Sequence, residues 1–284
     1  MIELQFKGNR LVVNPEQGAA ISLWSCQKNG KTITPIDTNG SNSYESSLLF
    51  PFPNRLTEGR YEFEGKEYQF ALNDSHRPNA LHGFISELPF ELVDHSENAL
   101  NLKLIYEGDR DEYPFPFDLE INYELLSNEL KINIEVTNAG KGNMPCGFGW
   151  HPYFNAQISD ESPRLKLPKV SSIGVNEDLI PNGEESLYKQ FQDFESIESK
   201  SFDQCFRLER IEERMSVFLS YPKLGSLEVW QDVNFPFVQA FKYNEKTIAI
   251  EPMTCGINAL NTKEGLMVLS PDQKWKFKMG LRFY

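Results

Sequence analysis

Hydrophobic and polar residues alternate with a period of two along most of the chain. Residues 61–64 and 67–70 alternate on either side of a Gly-Lys turn, and residues 119–125 and 131–136 flank a second polar turn. Such pairs predict β-hairpins, because successive side chains of a strand point to opposite faces. The same alternation recurs at 100–104, 216–221, 227–230, 237–241, 247–250 and 275–279. One hydrophobic and one polar face is typical of antiparallel sheets with a wet outer surface.

Helical signals are scarce. Residues 186–199 have some amphipathic character without a convincing helical period, and we interpret them as a loop. Residues 157–201 as a whole are rich in Ser, Pro, Asn and Glu, which predicts long surface loops. No repeat or low-complexity linker interrupts the strands. We therefore expect an all-β fold with few helices, built as one large antiparallel β-sandwich domain over residues 1–284.

Composition and charge argue against several kinds of binding partner. The 284 residues are 40% hydrophobic and 24% charged, which fits a folded globular chain and is too apolar for disorder. The net charge is -13 without a cluster of Lys and Arg, which argues against nucleic acid and against anionic membrane surfaces. No signal peptide and no membrane-spanning stretch is predicted. We therefore expect a cytoplasmic protein, and a neutral small-molecule ligand is compatible with this charge.

The four cysteines are far apart in the sequence and form no CxxC pair. We interpret them as free, mostly buried thiols in a reducing compartment, rather than as disulfides or zinc ligands. They are Cys26, Cys146, Cys205 and Cys255.

Residues 147–154, Gly-Phe-Gly-Trp-His-Pro-Tyr-Phe, contain the first candidate functional side chain. If this segment is a strand, its large apolar side chains lie on one face and Gly147, Gly149 and His151 on the other. The glycines would leave open space beside His151 and a backbone that another group can approach closely. Strand pairing should stop at Pro152, which has no N–H to donate. His151 would then lie at a strand end over a cavity. A core histidine bonded to a carbonyl is the alternative.

Two further segments present polar residues in loop-like surroundings. Residues 51–56, Pro-Phe-Pro-Asn-Arg-Leu, contain two prolines that fix the backbone and present Asn54 and Arg55 in a defined direction. His82 is followed by a glycine within residues 79–84. A solvated arginine on an edge turn and an uninvolved loop histidine are the alternatives.

Two acids also stand out. Asp203 lies between aromatic residues, where an exposed turn acid is the alternative. Glu251 closes the apolar run 248–250, precedes Pro252 and shares a strand face with the small Ala249. An acid that ends a buried strand is a good candidate for a base with a raised pKa, and a rim glutamate in a salt bridge is the alternative.

Together these segments resemble the aldose 1-epimerase (galactose mutarotase-like) family. The resemblance extends from the Gly-Ala-Ala segment at 18–20 to the C-terminal strands. Five motifs occur in the family's order. The motifs are residues 51–55, 81–83, 149–154, 202–203 and 251–252. The resemblance implies a galactose mutarotase-like supersandwich, a large antiparallel β-sandwich of twisted sheets with an open sugar cleft.

The resemblance also implies roles for single residues. His151 matches the family's general acid and Glu251 its general base. No metal or other cofactor is implied, and the expected partner is a small sugar bound by a monomer or homodimer. Loops at 155–182 match no pattern that would identify the sugar. The implied substrate-binding positions are Asn54, Arg55, His82 and Asp203.

The implied reaction interconverts α and β anomers through the open-chain aldehyde. A base removes the proton of the C1 hydroxyl while an acid protonates the ring oxygen. We expect Glu251 and His151 on opposite sides of the pyranose. We also expect attraction to the carboxylate to raise the pKa of the histidine, which would keep the pair active near neutral pH.

Four alternatives stay open at this stage. An inverting glycosidase would use Glu251 and Asp203 as its two carboxyl groups. A sugar-binding or sensing protein would tolerate loss of the acid/base pair. A metal site could be formed by His82, His151 and Glu251. A hexose 6-phosphate mutarotase would need further cations at the cleft rim, for which the unassigned candidates are Arg60, Arg77 and Arg110.

Overall fold

Antiparallel strands dominate the computed structural model, which describes residues 1–38, 43–210 and 212–284. The first nine strands are β1 (Ile2–Phe6), β2 (Asn9–Asn14), β3 (Ala20–Lys28), β4 (Lys31–Asp37), β5 (Ser47–Leu49), β6 (Arg55–Thr57), β7 (Arg60–Phe63), β8 (Lys66–Gln69) and β9 (Asn79–Leu81). The next nine are β10 (Glu91–His95), β11 (Ala99–Tyr106), β12 (Phe117–Leu125), β13 (Glu129–Asn138), β14 (Met144–Cys146), β15 (Gly149–His151), β16 (Tyr153–Asn155), β17 (Arg164–Lys166) and β18 (Val170–Val175).

Nine more strands and two helical turns complete the described chain. The strands are β19 (Pro181–Tyr188), β20 (Glu195–Ser196), β21 (Phe202–Leu208), β22 (Met215–Tyr221), β23 (Gly225–Gln231), β24 (Phe237–Lys242), β25 (Thr247–Met253), β26 (Met267–Leu269) and β27 (Lys274–Phe283). The helical turns are a 3₁₀ turn (Ile85–Glu87) and α1 (Ala259–Thr262). Neither is long and apolar enough to cross a membrane, and the described residues contain no helix that is.

Two large sheets form the body of the fold. The nine-stranded sheet has the order β10-β11-β12-β13-β27-β23-β22-β17-β20. The eight-stranded sheet has the order β19-β18-β21-β24-β25-β15-β5, with β16 also paired to β25. The first four strands form a separate sheet in sequence order. Three two-stranded sheets, β14-β26, β6-β9 and β7-β8, complete the topology.

Aromatic side chains from the two large sheets meet in a shared core. Phe50, directly after β5, lies against Phe117 of β12 with ring centroids 4.7 Å apart. Phe148, directly before β15, lies 5.0 Å from Phe277 of β27. Burial of such rings is the main favourable contribution to packing one sheet on another. The prediction of an all-β antiparallel sandwich is confirmed.

Both predicted hairpins are present. Tyr61 pairs with Tyr68 between β7 and β8, and β12 pairs with β13 along its whole length. The four cysteines are free and buried, as predicted.

The predicted loops at 157–201 are wrong in part, because four strands, β17 to β20, lie there. Within residues 186–199, interpreted as a loop, lie the end of β19 and all of β20. β19 is the edge strand of the eight-stranded sheet, and most of its residues are exposed. An edge strand that faces water needs no apolar side, so its polar composition resembles that of a loop.

Candidate functional site

All six predicted site residues line one cavity of about 210 Å³ on the eight-stranded sheet. Two larger hollows, of about 530 and 630 Å³, lie on the nine-stranded sheet and beside the β7–β8 hairpin, and their described linings include none of the six. The grouping of titratable side chains, rather than size, therefore singles out this cavity. The six residues are Asn54, Arg55, His82, His151, Asp203 and Glu251.

Strand register brings His151 and Glu251 together. Gly149 of β15 pairs with Met253 of β25, and Tyr153 of β16 pairs with Ala249 of the same strand. Antiparallel register then places His151 directly opposite Glu251 on one face of the sheet. The Nε2 atom of His151 lies 3.3 Å from Oε1 of Glu251. The two groups are thus side by side, and the expectation that they flank a sugar from opposite sides is wrong.

Prolines shape both strands around this pair. Pairing is interrupted at Pro152, between β15 and β16, as predicted. Glu251, by contrast, does not end its strand, because β25 continues through Pro252 to Met253. Pro252 lacks an N–H, which leaves the β15–β25 ladder without one donor beside the pair.

The two glycines before His151 allow other parts of the chain to approach the backbone closely, as expected, but they do not leave open space. A Cβ on Gly149 would lie 2.7 Å from Cβ of Pro53, and a Cβ on Gly147 would collide with Sγ of Cys255. The space beside them is therefore filled rather than open, and the expectation of open space is wrong. Glycine is needed because the 51–55 segment and residue 255 approach the backbone closely.

Burial governs the protonation of the pair. The side chains of His151 and Glu251 are 8% and 2% exposed. Desolvation lowers the pKa of His151 to about 4 and raises the pKa of Glu251 well above its usual value, to which the charge of Asp203 adds. The expected rise in the histidine pKa is therefore wrong, because desolvation is the dominant influence on it. Both shifts favour a neutral pair in which Glu251 holds the proton.

Each member of the pair also has an unpartnered atom. Nδ1 of His151 and Oε2 of Glu251 are buried and have no hydrogen-bond partner within the described chain. Buried polar atoms are normally paired, and an unpaired one needs an explanation, of which a catalytic role is one.

Asn54 and His82 hold each other in place. The backbone N–H of Asn54 donates to Nδ1 of His82 at 3.1 Å, and the backbone N–H of His82 donates to the carbonyl oxygen of Asn54 at 2.9 Å. Because Nδ1 accepts, the neutral ring carries its proton on Nε2. Burial, assisted by the neighbouring His151 and Arg55, lowers the pKa of His82 well below its usual value. His82 therefore offers the site a neutral N–H donor.

A ring of polar contacts surrounds Arg55. Its Nη1 donates to Oδ1 of Asn54 at 3.4 Å, and its Nη2 lies 3.9 Å from Oδ2 of Asp203. Nε2 of Gln239 donates to Oδ1 of Asp203, and Oε1 of Gln239 accepts from Nδ2 of Asn54 at 3.2 Å. On its other edge Arg55 donates from Nε to Oδ2 of Asp74 at 3.2 Å. These contacts fix the orientation of five side chains at once.

Aromatic rings supply the apolar part of the lining. Tyr153 stacks on His151 with centroids 4.9 Å apart, and Tyr44 lies 4.7 Å from the ring of His82. Phe241 lines the same cavity and contacts Tyr153 edge-on. Aromatic faces beside convergent hydrogen-bonding groups are typical of sites for amphipathic ligands such as sugars.

Comparison with known sequences decides the family. Residues 1–282 match the family profile described as aldose 1-epimerase. The chain belongs to the aldose 1-epimerase family. The resemblance stated from the motifs is thereby confirmed.

Two relatives and one solved structure show what this aldose 1-epimerase family member is similar to. The Escherichia coli protein named "Uncharacterized protein YihR" is 25% identical over 78% of this chain and 73% of its own length. Galactose mutarotase from Sus scrofa is 26% identical over 50% of this chain and 42% of its own length. A galactose mutarotase-like protein from Clostridium acetobutylicum has a solved structure with a TM-score of 0.87 and 19% identity, covering 99% of this chain and 94% of its own. This last likeness shows the shared fold.

The three arginines considered as phosphate-binding cations do not line the cavity of this family member. Arg60 donates to Gln69, and Arg77 donates to the carbonyl oxygen of Glu177. Arg110 stacks on Phe84 and pairs with two glutamates. Among the described lining residues, Arg55 is the one lysine or arginine. The structure therefore gives the phosphate-binding alternative no additional cation.

The alternative metal site is not supported either. Across residues 1–38, 43–210 and 212–284, no group of three or more His, Cys, Asp and Glu side chains could hold a metal ion. His82, His151 and Glu251 do line one cavity, but His82 uses Nδ1 to accept from the backbone.

Several lining residues are not predicted from the sequence. Gln239 could have been found from the sequence, because it is a polar residue within the apolar stretch that forms β24. In the structure it pairs directly with Glu251. Tyr44 and Asp74 could not have been found in this way, because both lie in irregular segments whose partners are distant in sequence. Tyr153 belongs to the predicted 147–154 segment, but its contact with His151 depends on the break at Pro152.

Proposed function

We propose that this chain is an aldose 1-epimerase that interconverts the α and β anomers of an aldohexose by ring opening and reclosure. The observation that carries the proposal is the pair of His151 and Glu251. These are two titratable groups 3.3 Å apart, in a polar cavity, each with an unpartnered atom. Membership of the aldose 1-epimerase family and the distant similarity to galactose mutarotase support the same reaction.

The side-by-side arrangement suits the chemistry of an anomeric centre. The hydroxyl oxygen O1 and the ring oxygen O5 are both bonded to C1, so an adjacent acid and base can reach both. In the opening step the Glu251 carboxylate takes the O1 proton, the C1–O5 bond breaks with its electrons on O5, and the His151 imidazolium protonates O5. The products are the open-chain aldehyde, protonated Glu251 and neutral His151.

Reclosure reverses the proton transfers on the other face of the carbonyl. Rotation about C1–C2 presents that face to the O5 hydroxyl. His151 then takes the O5 proton, O5 attacks C1, and Glu251 protonates O1. Burial favours the neutral pair, which is also the form that follows ring opening, and reclosure returns the charged pair. From the neutral resting pair, the short separation allows Glu251 to pass its proton to His151 before ring opening.

The remaining cavity residues would bind the sugar rather than react with it. His82 and Arg55 offer N–H donors, and Asp203 offers carboxylate oxygens to hydroxyl groups. Asp203 is already engaged by Gln239 and Arg55, which suits a positioned acceptor better than the acid or base of a glycosidase. Tyr44 and Tyr153 would cover the apolar face of the ring.

Polarimetry tests the proposal. Freshly dissolved α-D-glucose and α-D-galactose are followed with and without the purified protein at fixed pH. We expect the approach to the equilibrium rotation to accelerate in proportion to protein concentration for at least one of them. Equal rates with and without protein for both sugars would contradict the proposal.

A further inference from the structure

The charge of Arg55 is opposed from two sides. Its Nε lies 3.2 Å from a carboxylate oxygen of Asp74, and its Nη2 lies 3.9 Å from one of Asp203. The side chains of Arg55 and Asp74 are only 14% and 6% exposed, so water screens this pair weakly. Counting both carboxylates as ionised, the three groups together carry one negative charge.

Three hydrogen bonds hold the carboxylate of Asp74 in place. Its oxygens accept from the backbone N–H of His76 at 3.3 Å, from Nδ2 of Asn79 at 3.4 Å and from Nε of Arg55. Burial alone would raise the pKa of Asp74, but these hydrogen bonds outweigh it and hold the pKa below its usual value. The proposed reaction gives Asp74 no role in proton transfer, and the sequence motifs do not include it.

We infer that Asp74 is a specificity-determining residue, which neutralises Arg55 and so restricts the cavity to uncharged sugars against sugars that carry a phosphate. The inference rests on the proposed function in taking the ligand to be a sugar. A free guanidinium binds phosphate through two adjacent N–H groups. Here Asp74 occupies the Nε edge, and Asp203 and Asn54 face the two terminal nitrogens. A phosphate dianion would meet an occupied donor and net negative charge, which is discrimination by repulsion.

The test compares binding of matched neutral and phosphorylated sugars. Isothermal calorimetry gives dissociation constants for D-glucose and D-glucose 6-phosphate, and for D-galactose and D-galactose 6-phosphate. The variants are Asp74→Asn, which keeps the shape and removes the charge, and Arg55→Gln, which removes the cation. The control is Glu3→Gln, which removes the same charge from an exposed glutamate paired with Arg10.

The expected result is a change in the ratio of the two constants, not only in their size. Asp74→Asn should strengthen binding of the phosphorylated sugar relative to the neutral sugar by on the order of tenfold or more. The effect should be smaller in high salt, which screens the charges. Arg55→Gln should shift the ratio the other way, which keeps the inference testable if Asp74→Asn does not fold. The control should match the wild type.

Three results would overturn the inference. One is a ratio unchanged by Asp74→Asn, with both sugars weakened equally, which would show a merely structural role. Another is no shift against phosphate in Arg55→Gln. The third is no measurable binding of either sugar class to the wild type. A wild-type protein that binds sugars without accelerating mutarotation would contradict the proposed function alone, since the ratios would still decide the role of Asp74.

Discussion

At the scale of single residues, the proposed chemistry depends on one shared proton. With one proton, the pair of His151 and Glu251 can supply an acid and a base whichever group holds it. With two protons there is no base, and with none there is no acid. Burial widens the pH range in which the pair holds one proton, because it lowers the pKa of His151 and raises that of Glu251.

The pH dependence of the rate follows from these directions. We expect a plateau between an acid limit and an alkaline limit, because the singly protonated pair is the dominant form between them. On the acid side the rate should fall as the pair takes a second proton near pH 4, where His151 titrates. On the alkaline side it should fall as the shared proton is lost, above the usual pKa of glutamate. The measurement is the polarimetric rate against pH, corrected for spontaneous mutarotation. A rate that keeps rising through pH 9 would contradict the shared-proton scheme.

The binding residues should show a different kinetic signature. Arg55→Gln, His82→Gln and Asp203→Asn each remove a hydrogen-bonding group that would hold a sugar hydroxyl. We expect KM to rise by roughly 10- to 100-fold, the range for hydrogen bonds to charged or buried partners, with a smaller fall in kcat. His95→Gln, a change on the exposed strand β10, is the matched control and should leave KM unchanged. Unchanged saturation in all three cleft variants would count against a shared sugar site.

At the scale of secondary structure, alternation locates the long strands but not their partners. β11, β12 and β13 are predicted because one face of each is buried. The register of β15 on β25, which places His151 opposite Glu251, joins residues about a hundred positions apart, and periodicity contains no information on such pairing. The candidate acid and base are predictable as residue types in unusual settings, whereas their adjacency and their protonation require the fold.

Close packing behind the site gives a prediction for this register. Gly149→Ala would force a Cβ to within 2.7 Å of Pro53, directly before Asn54. We expect a loss of about 1–3 kcal/mol in the free energy of unfolding and at least a tenfold fall in the catalysed rate, because β15 and the 51–55 segment must separate. Gly142→Ala, where a Cβ meets nothing within 4 Å, is the control. Denaturant unfolding and polarimetry measure both effects, and equal behaviour of the two variants would refute the packing argument.

At the scale of the whole molecule, the core between the two large sheets supports the site. Phe148 is fully buried beside Gly149 and packs on Phe277 of the facing sheet. We expect Phe148→Ala to lower the free energy of unfolding by about 3–5 kcal/mol, the usual cost of deleting a buried ring. Phe194→Ala, at a ring that is 41% exposed, should cost less than about 1 kcal/mol. Similar denaturation midpoints for the two variants would mean that the sheets do not depend on this contact.

The central claim is that His151 and Glu251 carry the reaction, and polarimetry of wild type, Glu251→Gln and His151→Ala on freshly dissolved α-D-glucose and α-D-galactose tests it most directly. Each variant should lower the protein-dependent rate by on the order of 10²–10⁴ while remaining folded. Glu251→Gln should be at least as stable as the wild type at neutral pH. The raised pKa of Glu251 makes the wild type lose stability as pH rises above the usual glutamate pKa, and glutamine does not titrate. If either variant keeps most of the wild-type rate, His151 and Glu251 are not the acid/base pair.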